Sequence, residues 1–208
     1  MHLLIALLLV AQSGGQLKVC GVDWPPFSYA EQGKLMEGIL DNAPLPGCYH
    51  SDLATAFYPL AAYVRSDSPL QTFSWEMAKG LKVGMVRGYD YTDRIKHFTG
   101  WVPIKAHSDK QLLLMLEKNR VDLIVLDYFS APILSREQDV KIRALTPFLD
   151  STPLYLCFGK QKADLLPAYN KALQQMLDEG VLDRIYLRYL GEDYRTLKEK
   201  QERMKAAQ

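Results

Sequence analysis

A nearly continuous apolar segment, residues 121–126, most constrains what this chain can fold into. Such a run is typical of a strand that is buried on both faces of a parallel sheet. The segments before it alternate in pattern: residues 82–86 predict a strand, residues 92–98 a short helix and residues 101–104 another strand. This alternation predicts an α/β layer architecture.

A helix is predicted to begin at Ser108 because Ser108 and Gln111 form a capping box. Leu112, Leu113 and Leu116 then supply its apolar face. This helix would connect the strand at residues 101–104 to the buried strand.

Residues 57–64 form an extended apolar run with Pro59 inside it, which predicts an edge or crossing strand. The C-terminal third predicts a second crossing strand at residues 154–158, followed by two helices. Pro167 is suited to the start of the first helix, Gly180 to its end, and Gly191 to the end of the second. Residues 192–208 are rich in charges of both signs and predict a solvated surface helix.

The charge balance excludes a broad basic surface. Lys and Arg total 25 and Asp and Glu total 24, giving a net charge of +1. We therefore expect no nucleic-acid partner.

The three cysteines, Cys20, Cys48 and Cys157, lack the spacing of a zinc site, and no cofactor is expected. Cys20 and Cys157 fall on apolar strand patterns, which favours small buried core residues. We therefore predict no disulfide.

Residues 3–11 are apolar and are followed by small residues, which predicts a secretory signal peptide at residues 1–13. The run is too short to span a bilayer, and no other stretch of the sequence approaches that length. No membrane insertion is therefore expected after the signal peptide is removed. A buried N-terminal helix or strand is the alternative.

Five motifs in order carry a resemblance to a known family. They lie at residues 22–39, 57–69, 80–88, 119–127 and 177–186. Over residues 17–191 the chain resembles the solute-binding proteins of family 3, the periplasmic receptors of polar amino-acid ABC importers.

The resemblance implies a type II periplasmic-binding-protein-like α/β fold with two lobes joined by two crossover strands. Residues 17–62 and 154–191 would form lobe 1, and residues 63–153 lobe 2, followed by the charged tail at residues 192–208. It also implies a monomeric, non-enzymatic periplasmic protein that binds a small polar solute between the lobes, for ABC import through a permease or for sensing.

Two departures from the family pattern concern the first lobe. A helix and a strand that the family carries are missing between Gly38 and Asp41, so the lobe is predicted to be truncated. The family's carboxylate-binding arginine is also missing, and His50 stands near its position. His50 could replace it as a pH-dependent single donor or could be a plain loop residue.

Residues 17–22 predict a first strand, and the loop after it supplies four candidate ligand-binding residues, Asp23, Trp24, Phe27 and Tyr29. Ligands of open α/β sheets bind at the carboxyl ends of strands, and aromatic rings there could enclose an apolar or cationic group. Packing of a proline-rich loop is the alternative for the aromatic residues, and a turn is the alternative for Asp23.

A second set follows the strand at residues 82–86: Arg87, Tyr89, Asp90 and Tyr91. Free amides at a helix start favour an anion, and in the family this turn contacts the ligand carboxylate. A simple helix cap by Asp90 or Thr92 is the alternative.

Asp127 ends the buried strand, where the family places an acid against the ligand's α-amino group. A carboxylate there is costly unless it is paired, which favours a cationic partner. It could equally cap the helix predicted around residues 129–134.

Two other functions remain open. The fold also serves dehydratase-type enzymes, for which Asp127 or Asp23 would be the general acid, although no paired acid and base is evident. The shortened first lobe could instead make the chain a binding-deficient remnant.

Overall fold

A computed structural model of the protein describes residues 29–31, 34–36, 40–41, 48–89 and 91–206. The strands are β1 (Tyr29–Glu31), β2 (Lys34–Met36), β3 (Leu40–Asp41), β4 (Cys48–His50), β5 (Ala56–Arg65), β6 (Lys82–Val86), β7 (Val102–Ala106), β8 (Leu123–Asp127), β9 (Ile142–Ala144) and β10 (Asp150–Gly159). The helices are α1 (Asp93–His97), α2 (Asp109–Glu117), α3 (Ala131–Glu137), α4 (Leu166–Asp178), α5 (Val181–Leu190) and α6 (Tyr194–Ala206), with a 3₁₀ helix at Lys160–Leu165.

The chain divides into two compact units. The first contains the described residues up to 57 together with 153–199, and the second contains residues 58–152 and 200–206. The second unit therefore interrupts the first in sequence, and the chain passes between them within β5 and β10. Both strands were predicted as crossing segments.

The second unit is built on the predicted alternation of strands and helices. β6 pairs in parallel with β7 on one side and β8 on the other. β8 also pairs antiparallel with β5, and β5 with β9. All five residues of β8 are buried, as expected for a strand covered on both faces.

Two hydrophobic cores cover the two faces of this sheet, because successive residues of a strand point to opposite sides. Leu60, Ala62 and Val64 pack into one core with Phe73 and Trp101. The other core joins Ala61 and Tyr63 of β5 to the predicted leucine face of α2 and to α3; its α2 members are Leu112, Leu113 and Leu116.

In the first unit, three buried tyrosines from three helices bind one short loop. The Tyr186 hydroxyl donates to the Thr55 carbonyl at 2.7 Å, and the Tyr194 hydroxyl donates to the Ala54 carbonyl at 2.6 Å. The Tyr169 hydroxyl and the Thr55 side chain share a third hydrogen bond of 2.8 Å. These phenols satisfy polar groups that would otherwise be buried without partners.

The C-terminal tail is not the solvated helix that its charge predicts. Tyr194 and Leu197 in α6 are each 1% exposed, and Tyr194 packs on Phe57 and Tyr186. Gln201 is also buried. These three residues are spaced by three and four positions, so they share one helix face, which the high overall charge of the tail conceals.

The prediction of no disulfide is also wrong. Cys157 in β10 is disulfide-bonded. An apolar pattern places a cysteine on a buried strand, but it does not show which distant segment lies beside that strand. The same apolar pattern therefore fits a buried free cysteine and a disulfide-bonded cysteine equally well.

The predicted signal peptide at residues 1–13 lies outside the described residues. Among the residues that are described, no helix combines the length and the apolar character that crossing a membrane would require.

Candidate functional site

The topology of the second unit brings five polar or aromatic residues to one edge of its sheet. The parallel strands β6, β7 and β8 end there, and Leu60 of the antiparallel β5 lies opposite Asp127. We call this group the acidic tyrosine cluster; it consists of Tyr58, Tyr89, Tyr91, Asp109 and Asp127. Carboxyl ends of strands are the usual ligand-binding edge of an open α/β sheet.

The two carboxylate oxygens of Asp127 have different surroundings: one accepts hydrogen bonds in the local turn, and the other has no partner among the residues that the structure describes. Asp127 is buried, with an exposed fraction of 4%. Oδ1 accepts hydrogen bonds from the backbone N–H of Phe129 at 3.1 Å and of Ser130 at 2.5 Å. Oδ2 is buried and has no hydrogen-bond partner in the described part of the chain. The two roles considered for Asp127, a turn cap and a ligand contact, are therefore compatible.

Burial raises the pKa of Asp127 to about 6, because the ionised form loses its water. The hydrogen bonds from Ser130 and Phe129 oppose this effect, and the nearby carboxylate of Asp109 adds to it. A cation beside Oδ2 would favour the ionised form.

Asp109 is the first residue of α2, directly after the capping Ser108. Ser108 Oγ accepts from the Gln111 N–H at 3.2 Å, as the capping box predicts. The Tyr89 hydroxyl donates to Asp109 Oδ2 at 2.6 Å, while Oδ1 is buried with no hydrogen-bond partner among the described residues. Burial raises the pKa of Asp109, and the Tyr89 hydrogen bond opposes that rise.

The three tyrosines of the cluster lie near its two carboxyl groups. The Tyr91 hydroxyl accepts from the Val86 N–H at 2.8 Å, which fixes the turn after β6, and the Tyr89 ring lies 6.2 Å from the Tyr91 ring. Burial raises the pKa of Tyr58 and the charge on Asp127 raises it further, followed by smaller effects of Tyr91, Tyr89 and Asp109. The five groups therefore share one electrostatic environment.

Arg87 and Gly88 form the turn between β6 and the cluster. Arg87 is exposed, and its backbone N–H donates to the Ala106 carbonyl at 2.8 Å, so that amide continues the sheet. Gly88 has a φ of +86°, a left-handed conformation that favours glycine. Thr92 precedes α1 but makes no capping hydrogen bond through its side chain.

The structure brings together three of the predicted ligand-binding residues, Tyr89, Tyr91 and Asp127, and places Arg87 at the adjoining turn. Tyr29 begins β1 in the first unit, where its backbone pairs with Met36. The others lie outside the described residues: Asp23, Trp24, Phe27 and Asp90.

Two members of the cluster, Tyr58 and Asp109, were missed from the sequence. Asp109 directly follows the capping Ser108, so its position at the start of a helix could be predicted from the sequence. Tyr58 precedes Pro59 in the crossing strand, but its position beside Asp127 depends on the pairing of β5 with β8. Among the described residues, no group of three His, Cys, Asp or Glu side chains could hold a metal ion.

No protein-family model matches the chain. Two curated proteins of Bacillus subtilis (strain 168) are similar to parts of it. The L-cystine-binding protein TcyK is 29% identical over 79 residues, which cover 38% of this chain and 29% of TcyK. The L-cystine-binding protein TcyA is 35% identical over 89 residues, which cover 40% of this chain and 31% of TcyA. Each match thus spans about a third of the relative's length.

Solved structures match over more of the chain. The L-cystine solute receptor of Neisseria gonorrhoeae has a TM-score of 0.60 at 14% identity, covering 82% of this chain and 90% of the receptor. The probable amino-acid ABC transporter extracellular-binding protein YtmK of Bacillus subtilis has a TM-score of 0.61 at 20% identity, covering 71% and 66%. The chain therefore has the type II periplasmic-binding-protein fold, as the resemblance to family 3 implies.

Proposed function

We propose that this chain is a solute-binding protein of family 3 type and that it binds a small polar solute that carries an ammonium group, such as an amino acid or a related compound. The observation that carries the proposal is the buried Oδ2 of Asp127 at the ligand-binding edge of the sheet, for which no described residue supplies a hydrogen bond. A buried carboxylate oxygen without a partner is unfavourable, and an ammonium group of a solute would supply the missing hydrogen bond and charge.

In this proposal the acidic tyrosine cluster forms the ammonium-binding surface of the second unit. Asp127 is the charge partner, and Tyr58 supplies aromatic surface near it, on which a cationic nitrogen is also favoured. Arg87 and Tyr89 border the same edge, and Arg87 is the exposed cation available to a solute carboxylate.

The cellular location and the partners of this binding activity are proposed from the similar proteins. The names of the similar proteins describe binding proteins and ABC transport components, which supports an exported, non-enzymatic protein that delivers solute to a permease or sensor. A monomer is expected. The contacts predicted for Asp23, Trp24, Phe27, Tyr29 and Asp90 stay predictions.

Titration calorimetry of the purified full chain tests the proposal. The panel contains L-cystine, basic, acidic and neutral amino acids, amines, and organic acids without nitrogen. We expect one or more ammonium-bearing solutes to bind and the organic acids not to bind. Failure of every ammonium-bearing solute to bind would refute the proposed function.

The variant Asp127→Asn assigns the site. Loss of a charge-assisted hydrogen bond should weaken binding by at least about tenfold. Asp139→Asn is the matched control, because Asp139 is an exposed acid of the same unit at a φ of +52°, which asparagine tolerates. Equal affinity of both variants would show that the solute binds elsewhere.

A further inference from the structure

The acidic tyrosine cluster contains two carboxyl groups, each with a buried oxygen that lacks a hydrogen-bond partner within the described ranges. These oxygens are Oδ2 of Asp127 and Oδ1 of Asp109. Asp127 is only 4% exposed. An Asp at the start of a helix usually keeps its oxygens in water, where it interacts favourably with the helix dipole. Helix stabilisation alone therefore does not explain the buried oxygen of Asp109.

Neither carboxyl group is neutralised by the described part of the chain. No lysine or arginine there forms an ion pair with Asp109 or Asp127. Lys105 lies at the same edge, but its Nζ is 3.8 Å from the Met85 sulfur and 5.8 Å from the centre of the Tyr91 ring. The cluster thus holds two acidic groups and no paired cation among the described residues.

The two carboxyl groups are close enough to act on each other. Asp109 raises the pKa of Asp127, and both raise the pKa of Tyr58. Their strands also end side by side, since β6 pairs with both β7 and β8 and each acid follows or ends one of these outer strands. One ammonium group at Asp127 would leave the charge on Asp109 uncompensated.

We infer that Asp109 is a second cation-binding residue and that the solute carries two ammonium groups, one for Asp109 and one for Asp127. The inference rests on the proposed function and adds the chemical class of the solute. The Tyr89 hydroxyl, which donates to Asp109 Oδ2, orients the carboxyl group so that Oδ1 faces the second ammonium group.

Matched pairs of solutes test this inference on the unmodified full chain. Each pair differs by one amino group: L-lysine with L-norleucine, L-ornithine with L-norvaline, and L-2,4-diaminobutyrate with L-2-aminobutyrate. The series also varies the spacing of the two nitrogens. We expect the diamino member of at least one pair to bind at least about tenfold more tightly than its partner, the contribution of one charge-assisted hydrogen bond.

The variant Asp109→Asn should reduce this preference to about twofold or less; the readout is the ratio of the two affinities within each pair, so a change in the affinity for the monoamino member does not affect it. Asp139→Asn should keep the preference. Retention of the preference in Asp109→Asn would overturn the role of Asp109.

The outcomes also separate the two proposals. Equal binding of both members of each pair overturns the inference and leaves the proposed function standing. Failure of both members of every pair, together with the rest of the calorimetry panel, overturns both. The comparison of ligands needs no variant, so it remains decisive if Asp109→Asn does not fold.

Discussion

Replacing Asp127 by asparagine should stabilise the ligand-free protein at alkaline pH while it weakens binding. In the folded chain, burial raises the pKa of Asp127 to about 6, whereas an exposed aspartate has a pKa near 3.9. The difference is about two pH units, and each unit corresponds to about 1.4 kcal/mol. Ionised Asp127 therefore lowers the free energy of unfolding by about 3 kcal/mol above pH 7.

The sign follows from linkage. Because the pKa is higher in the folded state, this contribution to stability is fully present below about pH 4 and is lost as the pH rises through about 6. Asparagine cannot ionise, and its carbonyl oxygen can still accept from Phe129 and Ser130. The stability advantage of Asp127→Asn should be about 2 kcal/mol larger at pH 8 than at pH 4.5.

Urea unfolding of ligand-free wild type, Asp127→Asn and Asp139→Asn at the two pH values measures this difference. Bound solute must first be removed, because it stabilises the folded wild type by mass action. Asp139→Asn replaces an exposed acid of the same unit and is the matched control for the loss of one carboxyl group. An advantage of Asp127→Asn that is equal at both pH values, or larger at pH 4.5, would refute the reasoning.

Four further predictions follow from other parts of the structure. Between pH 7.5 and pH 5, calorimetry should show that affinity for an ammonium-bearing solute falls by about tenfold, because Asp127, with a pKa of about 6, becomes protonated; constant affinity would contradict its charge role. Tyr186→Phe should cost about 1–3 kcal/mol in urea unfolding because the buried Thr55 carbonyl loses its donor, whereas the exposed Tyr189→Phe should change little. Gly84→Ala should cost about 1–3 kcal/mol, because an added Cβ would lie 2.8 Å from Leu112 Cδ2 and 2.9 Å from Ile124 Cγ2; at Gly159 an added Cβ meets no atom of the described residues within 4 Å, so Gly159→Ala should be nearly neutral. Thiol titration of the unfolded, unreduced chain should find one thiol, and three after reduction, since Cys157 is disulfide-bonded; three thiols without reductant would contradict the disulfide.

The elements that depend on local pattern were predictable from the sequence. The apolar run before Asp127 is the buried strand β8, the capping box at Ser108 begins α2, and Gly180 and Gly191 end helices with φ values of +66° and +77°. Each of these signals lies within a few residues of the feature it specifies. Local chemistry alone is therefore enough to find them.

Features that depend on distant partners were not predictable in the same way. Tyr58 joins the cluster only because β5 pairs antiparallel with β8, and Tyr194 is buried only because residues 54–57 and α5 lie beside it. The disulfide of Cys157 likewise depends on a second cysteine that is distant in sequence, which no short motif encodes. Tertiary pairing decides these cases, and it overrides the composition of the tail.

The order of the two units along the chain has a consequence for how the protein forms its structure. All strands and helices of the second unit's sheet are complete once residue 152 has emerged, from the ribosome or from an export channel. The first unit must wait until Tyr194 arrives to close on Ala54, because its tyrosine contacts join the two ends of the sequence. At a synthesis rate of about 5–20 residues per second, the interval of about 40 residues lasts roughly 2–8 s. The unit that carries Asp127 can thus fold first. During the delay, the N-terminal part of the first unit must avoid misfolding and proteolysis.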